Sequence, residues 1–385
     1  MEIEIGMGKR GRRAYGFDEI AIVPSRRTRD PEDVDMSWQL AGRTFGYPLL
    51  ASAMDGVVNP TTAGIIGKIG GLGVINLEGI QARYEDADAK LEQIAGFPVP
   101  EATRGLQEIY REPVKAELIA QRIREIKDQG VVVAGSLTPQ RVREYIDVVI
   151  DAGLDILIIQ GTVVSAEHVS TRDEPLDLKR FIAEVPVPVI VGGCASYSTA
   201  LHLMRTGAVG VLVGVGPGAA CTTRQVIGVG VPQATAIADA AGARMQHLLE
   251  TGTYVNVIAD GGMAYGGDLA KAIACGADAC MIGSPFAKAA EAPGRGYHWG
   301  MATFHPQLPR GTRVKTTTIG TLEEILTGPA HENDGTLNLV GGLRSAMATC
   351  GYDSIHSFQK CEVMVAPALK TEGKKLQQAQ HVGMG

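Results

Sequence analysis

Eight short aliphatic runs recur along the chain, at 48–52, 72–76, 131–136, 155–160, 188–192, 210–214, 255–260 and 279–283. Each is closed by Gly, Pro or a polar residue. Uninterrupted aliphatic runs of this length are the pattern of parallel strands covered on both faces. Segments with helical spacing lie between them. Over 113–128, Leu118, Ile119, Ile123 and Ile126 share one face, and Gly130 ends the segment. Three approaches to strands repeat one design, in which a helix stops at Gly and a strand begins: Ala152-Gly153-Leu154-Asp155, Thr206-Gly207-Ala208-Val209 and Cys275-Gly276-Ala277-Asp278. Such repeating βα units predict a single α/β domain over 1–385, a closed (β/α)8 TIM barrel. The interval 77–130 holds two helices and no room for a further domain. The stretch 291–318 is rich in Gly, Pro, His and Arg and reads as a mobile active-site flap. The polar end, 370–385, reads as a mobile tail.

Composition narrows the function classes. A net charge of −6 and scattered basic residues argue against a nucleic-acid partner. No run of about 18 apolar residues is present, so no membrane span is expected. The first residues lack the basic-then-apolar order of a secretory signal, and the expected location is the cytoplasm. The six cysteines form no CxxC pair and no zinc-like cluster with histidine. Reduced thiols fit that location.

The candidate chemistry sits where barrel strands end. Cys221 lies in Gly214-Val215-Gly216-Pro217-Gly218-Ala219-Ala220-Cys221-Thr222-Thr223-Arg224, directly after the sixth run. A second glycine-rich stretch, Gly228-Val229-Gly230-Val231-Pro232-Gln233, follows it. A thiol on such a loop is a candidate nucleophile; a structural cysteine belongs inside an apolar element. Asp260-Gly261-Gly262 and Gly283-Ser284 follow the seventh and eighth runs, where barrels commonly bind phosphate through backbone N–H groups. Asp260 repels phosphate but suits a ribose diol, or else caps a turn or helix. Cys194, after the fifth run, is placed at the site mouth. Cys275, Cys280, Cys350 and Cys361 read as packing residues. His298 and His305 fall in the flap and read as solvated or stacking residues first, with proximity keeping them as candidate general bases.

These motifs carry a resemblance. With Ala51-Ser52-Ala53-Met54-Asp55, Gly70-Gly71-Leu72-Gly73-Val74, Glu291-Ala292-Pro293-Gly294, Gly300-Met301 and Gly341-Gly342-Leu343-Arg344-Ser345, the cysteine loop resembles the IMP dehydrogenase/GMP reductase family over nearly the whole chain. The similarity is strongest to its short branch without the regulatory CBS pair. It implies a purine nucleotide (IMP or XMP) over the barrel mouth. Ser52 and Met54 would touch the nucleotide, Asp260 the ribose, Gly262, Gly283 and Ser284 the phosphate, and Gly300 and Met301 the base. Cys221 would attack purine C2. The resemblance further implies NAD near Gln160, Gly161, Thr162 and Gly193, a potassium ion on the carbonyls of Gly216, Gly218 and Cys221, and a homotetramer or octamer.

The sequence also departs from the family. The Arg-Tyr pair that dehydrogenases carry on the flap is missing, as is the Glu that reductases place before a Gly-Lys-Thr-like segment. His298-Trp299 replaces the tyrosine that precedes Gly-Met. The aspartate that holds the cofactor ribose is replaced near Gln160-Gly161-Thr162, and an expected asparagine reads as Gly193. Arg310 is the candidate substitute for the flap arginine, with Thr223 orienting water or the intermediate; the equal alternative is that Arg310 binds phosphate or solvent. IMP dehydrogenase is the leading expectation, because Val231 stands where reductases tend to have tyrosine. GMP reductase is the alternative, and a non-catalytic purine-nucleotide sensor is a third reading.

Overall fold

A computed structural model of the chain describes residues 2–171, 174–300, 313–367 and 374–380. All eight aliphatic runs form strands: β1 Leu49–Ala51, β2 Leu72–Asn76, β3 Ala134–Leu137, β4 Ile156–Gln160, β5 Val189–Cys194, β6 Gly210–Val213, β7 Asn256–Asp260 and β8 Ala279–Ile282. They pair in sequence order, all parallel, and β8 closes onto β1. The expected TIM barrel is therefore the observed fold.

The strands bury two faces because the barrel has two cores. Leu50, Leu72, Val74, Ile156, Ile158, Ile190, Leu212, Ile258 and Met281 fill the interior. Their neighbours Leu49, Ile75, Leu157, Ile159, Val191, Val211 and Val257 point outward against the helical ring. This period-2 alternation within aliphatic runs is what removed any polar signal from the sequence. A short hairpin, Trp38–Leu40 with Arg43–Phe45, precedes β1. Trp38, Leu40 and Phe45 join the interior core, with Trp38 stacked on Phe45 at 5.3 Å. The chain entering the barrel thus supplies its own plug.

Helices return the chain between strands. After β1 comes α1 (Pro60–Ile69). Between β2 and β3 lie α2 (Ala87–Gly96), α3 (Val99–Ile109) and α4 (Ala116–Lys127), one helix more than expected. The cause is Pro98, which ends α2 and starts α3. Helix α4 buries the stripe read from the sequence, Leu118, Ile119, Ile123 and Ile126. Each such side chain contributes about 1.5–3 kcal/mol of burial. The remaining returns are α5 (Val142–Asp151), α6 (Leu178–Glu184), α7 (Tyr197–Met204), the short α8 (Thr223–Ile227), α9 (Gln233–Thr251), α10 (Gly266–Ala274) and α11 (Ser284–Ala287). A late strand, Val363–Val365, pairs with Ile20–Ile22 and ties the two ends of the chain together.

Part of the flap lies within the described residues. Tyr297–His298 pairs antiparallel with Val314–Lys315, which holds these two short strands side by side. Residues 301–312, including His305 and Arg310, and most of the expected tail lie outside the described residues.

Candidate active site

Backbone geometry assembles the C-terminal rim of the barrel. Gly261 and Gly262 hold φ of 79° and 80°, a left-handed pair that turns the chain sharply after β7. A Cβ on Gly261 would come within 3.3 Å of the Gly218 nitrogen, and one on Gly262 within 3.0 Å of Pro217. The Asp260 turn and the cysteine loop therefore pack directly on each other. Gly214 is tighter still, since a Cβ there would lie 2.1 Å from the Asp260 carbonyl oxygen.

Two polar side chains staple the loops. Arg224 donates to the carbonyls of Val215 (3.1 Å) and Val231 (2.5 Å), joining the two glycine-rich stretches. Gln233, at the start of α9, donates to the carbonyls of Val213 (2.7 Å) and Asp260 (3.2 Å). Both are side chain-to-backbone bonds, which fix loops that lack a ladder of their own. Arg224 is thus occupied in holding the loop.

A cavity of about 580 Å³ opens over this rim, within the range of small-molecule sites. It is lined by Ser52, Met54, Gln160, Gly161, Thr162, Gly216, Gly218, Cys221, Thr223, Asp260, Gly262, Gly283, Ser284 and Gly300, all singled out from the sequence. Cys221 is exposed at its wall, and its Sγ donates to Thr223 Oγ1 at 3.1 Å. The Cys221 N–H donates to the Gly218 carbonyl at 3.0 Å, closing the tip of the loop. Thr223 is buried at the first turn of α8.

Asp260 stands at the end of β7, and its carboxylate accepts from Gln160 Nε2 at 3.2 Å. Gln160 Oε1 accepts in turn from Ser136 Oγ at 3.3 Å, so β3, β4 and β7 share one polar chain across the mouth. Burial pushes the Asp260 carboxyl up to about 7, and the Gln160 bond only partly offsets this. The side chain does not cap a helix.

Three expectations are corrected or displaced, and a fourth rim residue, Asp55, is placed away from the cavity. Cys194 does not face the mouth. The β5–β6 register shifts between Gly192 and Cys194, and this bulge turns Cys194 outward into the layer beneath the helices. There it is 1% exposed, and burial raises its thiol to about 12. Gly193 is not among the lining residues; it exchanges backbone bonds with Gly161 and Val164 behind the rim. Asp55 turns away from the cavity and accepts from the Ile80 N–H (3.1 Å) and the Tyr110 hydroxyl. His298 is neither solvated nor stacked. It is 1% exposed, lines the cavity, and bonds Ser284 Oγ through Nε2 at 3.0 Å. Burial holds its imidazole below the usual range, helped by the charge of Lys288. Met301 and Arg310 lie outside the described residues.

The structure adds wall residues that sequence reasoning missed. Thr103 and Gln107, one turn apart on α3, line the cavity, as does Thr138 after β3. Their i, i+4 spacing was a signal, but nothing in the sequence placed α3 over the barrel mouth. The base of the flap leans on the same insertion. Trp299 Nε1 donates to the Tyr110 hydroxyl at 2.8 Å, and Arg313 stacks over Tyr297 at 3.9 Å while donating to the Phe97 carbonyl. Among the described residues no cluster of His, Cys, Asp and Glu could hold a metal ion, and no helix is long and apolar enough to cross a membrane.

Comparison with known proteins identifies the family. Residues 14–374 match the family model described as IMP dehydrogenase / GMP reductase domain. An uncharacterized oxidoreductase of Mycolicibacterium smegmatis is 47% identical over 373 residues, covering 94% of this chain and 99% of that protein. An inosine-5'-monophosphate dehydrogenase of Methanocaldococcus jannaschii is 26% identical, covering 94% of each chain. A crystal structure of an IMP dehydrogenase/GMP reductase-like protein from Corynebacterium glutamicum superposes with a TM-score of 0.89 at 46% identity, over 94% of this chain and 97% of that one. A barrel whose rim gathers Cys221, Asp260 and Ser284 around one cavity, matched in this way along its length, belongs to the IMP dehydrogenase/GMP reductase family of oxidoreductases.

Proposed function

We propose that the protein oxidises IMP to XMP with NAD⁺ as hydride acceptor, through a covalent bond between Cys221 and purine C2. The observation that carries this reading is the placement of Cys221: an exposed thiol on a stapled loop, hydrogen-bonded to Thr223 and sharing a cavity with Asp260 and Ser284. Asp260 accepts the ribose diol, while Gly262, Gly283 and Ser284 receive the phosphate. Ser52 and Met54 lie under the nucleotide. The Cys221 thiol gives up its proton and its sulfur adds to C2. The C2 hydride leaves with its electron pair to the nicotinamide. Water then adds at C2, the carbon–sulfur bond breaks, and the thiol is regenerated. The net products are XMP, NADH and one proton. Arg310, together with Thr223, is assigned to the water step.

Gly161 and Thr162 line the cavity and suit the NAD side, whereas Gln160 is committed to Asp260 and Gly193 sits behind the rim. A potassium ion would take the carbonyls of Gly216, Gly218 and Cys221. Their hard oxygens suit an alkali cation, and the Gly218 carbonyl keeps a free lone pair beside its bond to Cys221. The assembly proposed is a homotetramer or octamer.

The deciding experiment follows nicotinamide absorbance with IMP and NAD⁺, and separately with GMP and NADPH. NADH formation from IMP supports the reading, and NADPH loss with GMP would replace it with reductive deamination. Silence in both with IMP still bound would make the protein a sensor. For Arg310→Ala, an unchanged hydride burst followed by slow turnover is expected; a slowed burst would remove Arg310 from the water step.

A further inference from the structure

Ser284 and His298 form a pair that the oxidation chemistry leaves unused. Both line the cavity, and they are joined by the 3.0 Å bond between Oγ and Nε2. His298 Nδ1 is buried and has no hydrogen-bond partner among the described residues. A buried N–H without an acceptor is costly, whereas an imidazole nitrogen carrying only a lone pair loses less. The economical tautomer therefore carries its proton on Nε2 and donates it to Ser284. The Ser284 oxygen is then engaged as an acceptor, and its own proton is left to point elsewhere.

The surroundings keep the ring neutral. Lys288, one turn beyond Ser284, holds its charge near the imidazole. On the paired strand, Lys315 stands opposite Tyr297, and Arg313 stacks on Tyr297. From the other side Gly56 presents backbone only, since a Cβ there would lie 3.1 Å from His298 Cα. Its neighbour Asp55 is bonded to Ile80 and Tyr110. The charge that acts on His298 is the Lys288 cation, which suits an anionic ligand oxygen.

We propose that His298 is a positioning residue that converts Ser284 from a free hydroxyl rotor into a directed donor, so that the cavity selects a phosphate monoester over its unphosphorylated nucleoside. The proposal rests on the nucleotide reading given above. It assigns no step of the reaction to His298.

The test is calorimetric binding of IMP, inosine and inorganic phosphate to the wild type, His298→Phe and His298→Gln, with thermal melting as the check on folding. His298→Phe should lose about tenfold in IMP affinity, the scale of a charge-assisted hydrogen bond, while inosine affinity stays unchanged. His298→Gln keeps a donor and should restore most of the selectivity. The wild-type imidazole ¹⁵N spectrum should show the proton on Nε2. Unchanged IMP affinity in His298→Phe would overturn the proposal. Parallel loss of IMP and inosine would overturn it in favour of a purely structural role. If the variants fail to fold, an Nδ1–H tautomer in the wild type would overturn it and an Nε2–H tautomer would support it. Failure of the wild type to bind IMP would sink the nucleotide reading and this proposal together, which separates that failure from the others.

Discussion

Replacing Asp260 by asparagine should make the ligand-free protein more stable, by a margin that grows between about pH 4 and about pH 7. The carboxyl is raised from about 3.8 to about 7 by burial at the rim. In the unfolded chain it titrates near the ordinary value of about 3.9. Between these values the unfolded state has released its proton while the folded state still holds it. Stability therefore falls as pH rises from about 4 to about 7 and is level above that. A shift of about three pH units corresponds to about 4 kcal/mol. The cavity admits water, so about 2–4 kcal/mol is the working range. The asparagine side chain would keep the shape and still accept from Gln160. For 385 residues, an unfolding entropy of about 0.8 kcal/mol/K converts this into about 2–5 °C of Tm. The assay is thermal melting of wild type and Asp260→Asn from pH 5 to pH 8. The gap should be small at pH 5 and grow toward pH 7, with the variant clearly higher at pH 8. IMP should reverse the order at pH 8, because its ribose hydroxyls donate to the ionised carboxylate. A pH-independent gap, or a variant that melts lower at pH 8 without ligand, would refute the reasoning.

Other outcomes are equally specific. Cys221→Ser should retain IMP binding in calorimetry while NADH formation falls at least a hundredfold; full turnover would remove the covalent step. Thr223→Val deletes the partner of the Cys221 thiol, at about 1 kcal/mol for a neutral bond. The pre-steady-state hydride burst should slow about fivefold with IMP affinity unchanged. Trp299→Phe keeps the packing but loses the bond to Tyr110, so the melting temperature should fall by about 1–2 °C, whereas Trp299→Ala should cost about 3–5 kcal/mol. Gly214→Ala drives a Cβ to 2.1 Å from the Asp260 carbonyl oxygen and should abolish nucleotide binding in calorimetry even where the fold survives circular dichroism.

The barrel was legible because its strands are buried on both sides, which writes each of them as an aliphatic run closed by Gly or a polar residue. The rim was legible for the same reason: once a strand end is located, the residues after it are rim residues. Parity was not legible. A single bulge between Gly192 and Cys194 reverses which way the cysteine points, and a bulge leaves no mark on composition. His298 was misread because burial is a tertiary property. Its sequence neighbours, in a Gly- and Pro-rich stretch, suggested a solvated loop, yet strand pairing with Val314 and the bond to Ser284 bury it. The α2–α3 insertion was counted as one helix too few because Phe97-Pro98 interrupts it without a longer loop. The Trp38–Phe45 plug was missed because three-residue strands carry almost no periodic signal.

The pairing of Tyr297–His298 with Val314–Lys315 has a consequence for how this site varies. It pins the two ends of the flap segment side by side, with Trp299 and Arg313 fastened to the insertion. The entropy of closing that loop is therefore met at its base, not along its length. Doubling the length of such a loop costs only about 0.6 kcal/mol. The connection between these paired ends can then lengthen, shorten or exchange its residues while the barrel keeps its stability. A fold built this way can alter that connection without renegotiating its core.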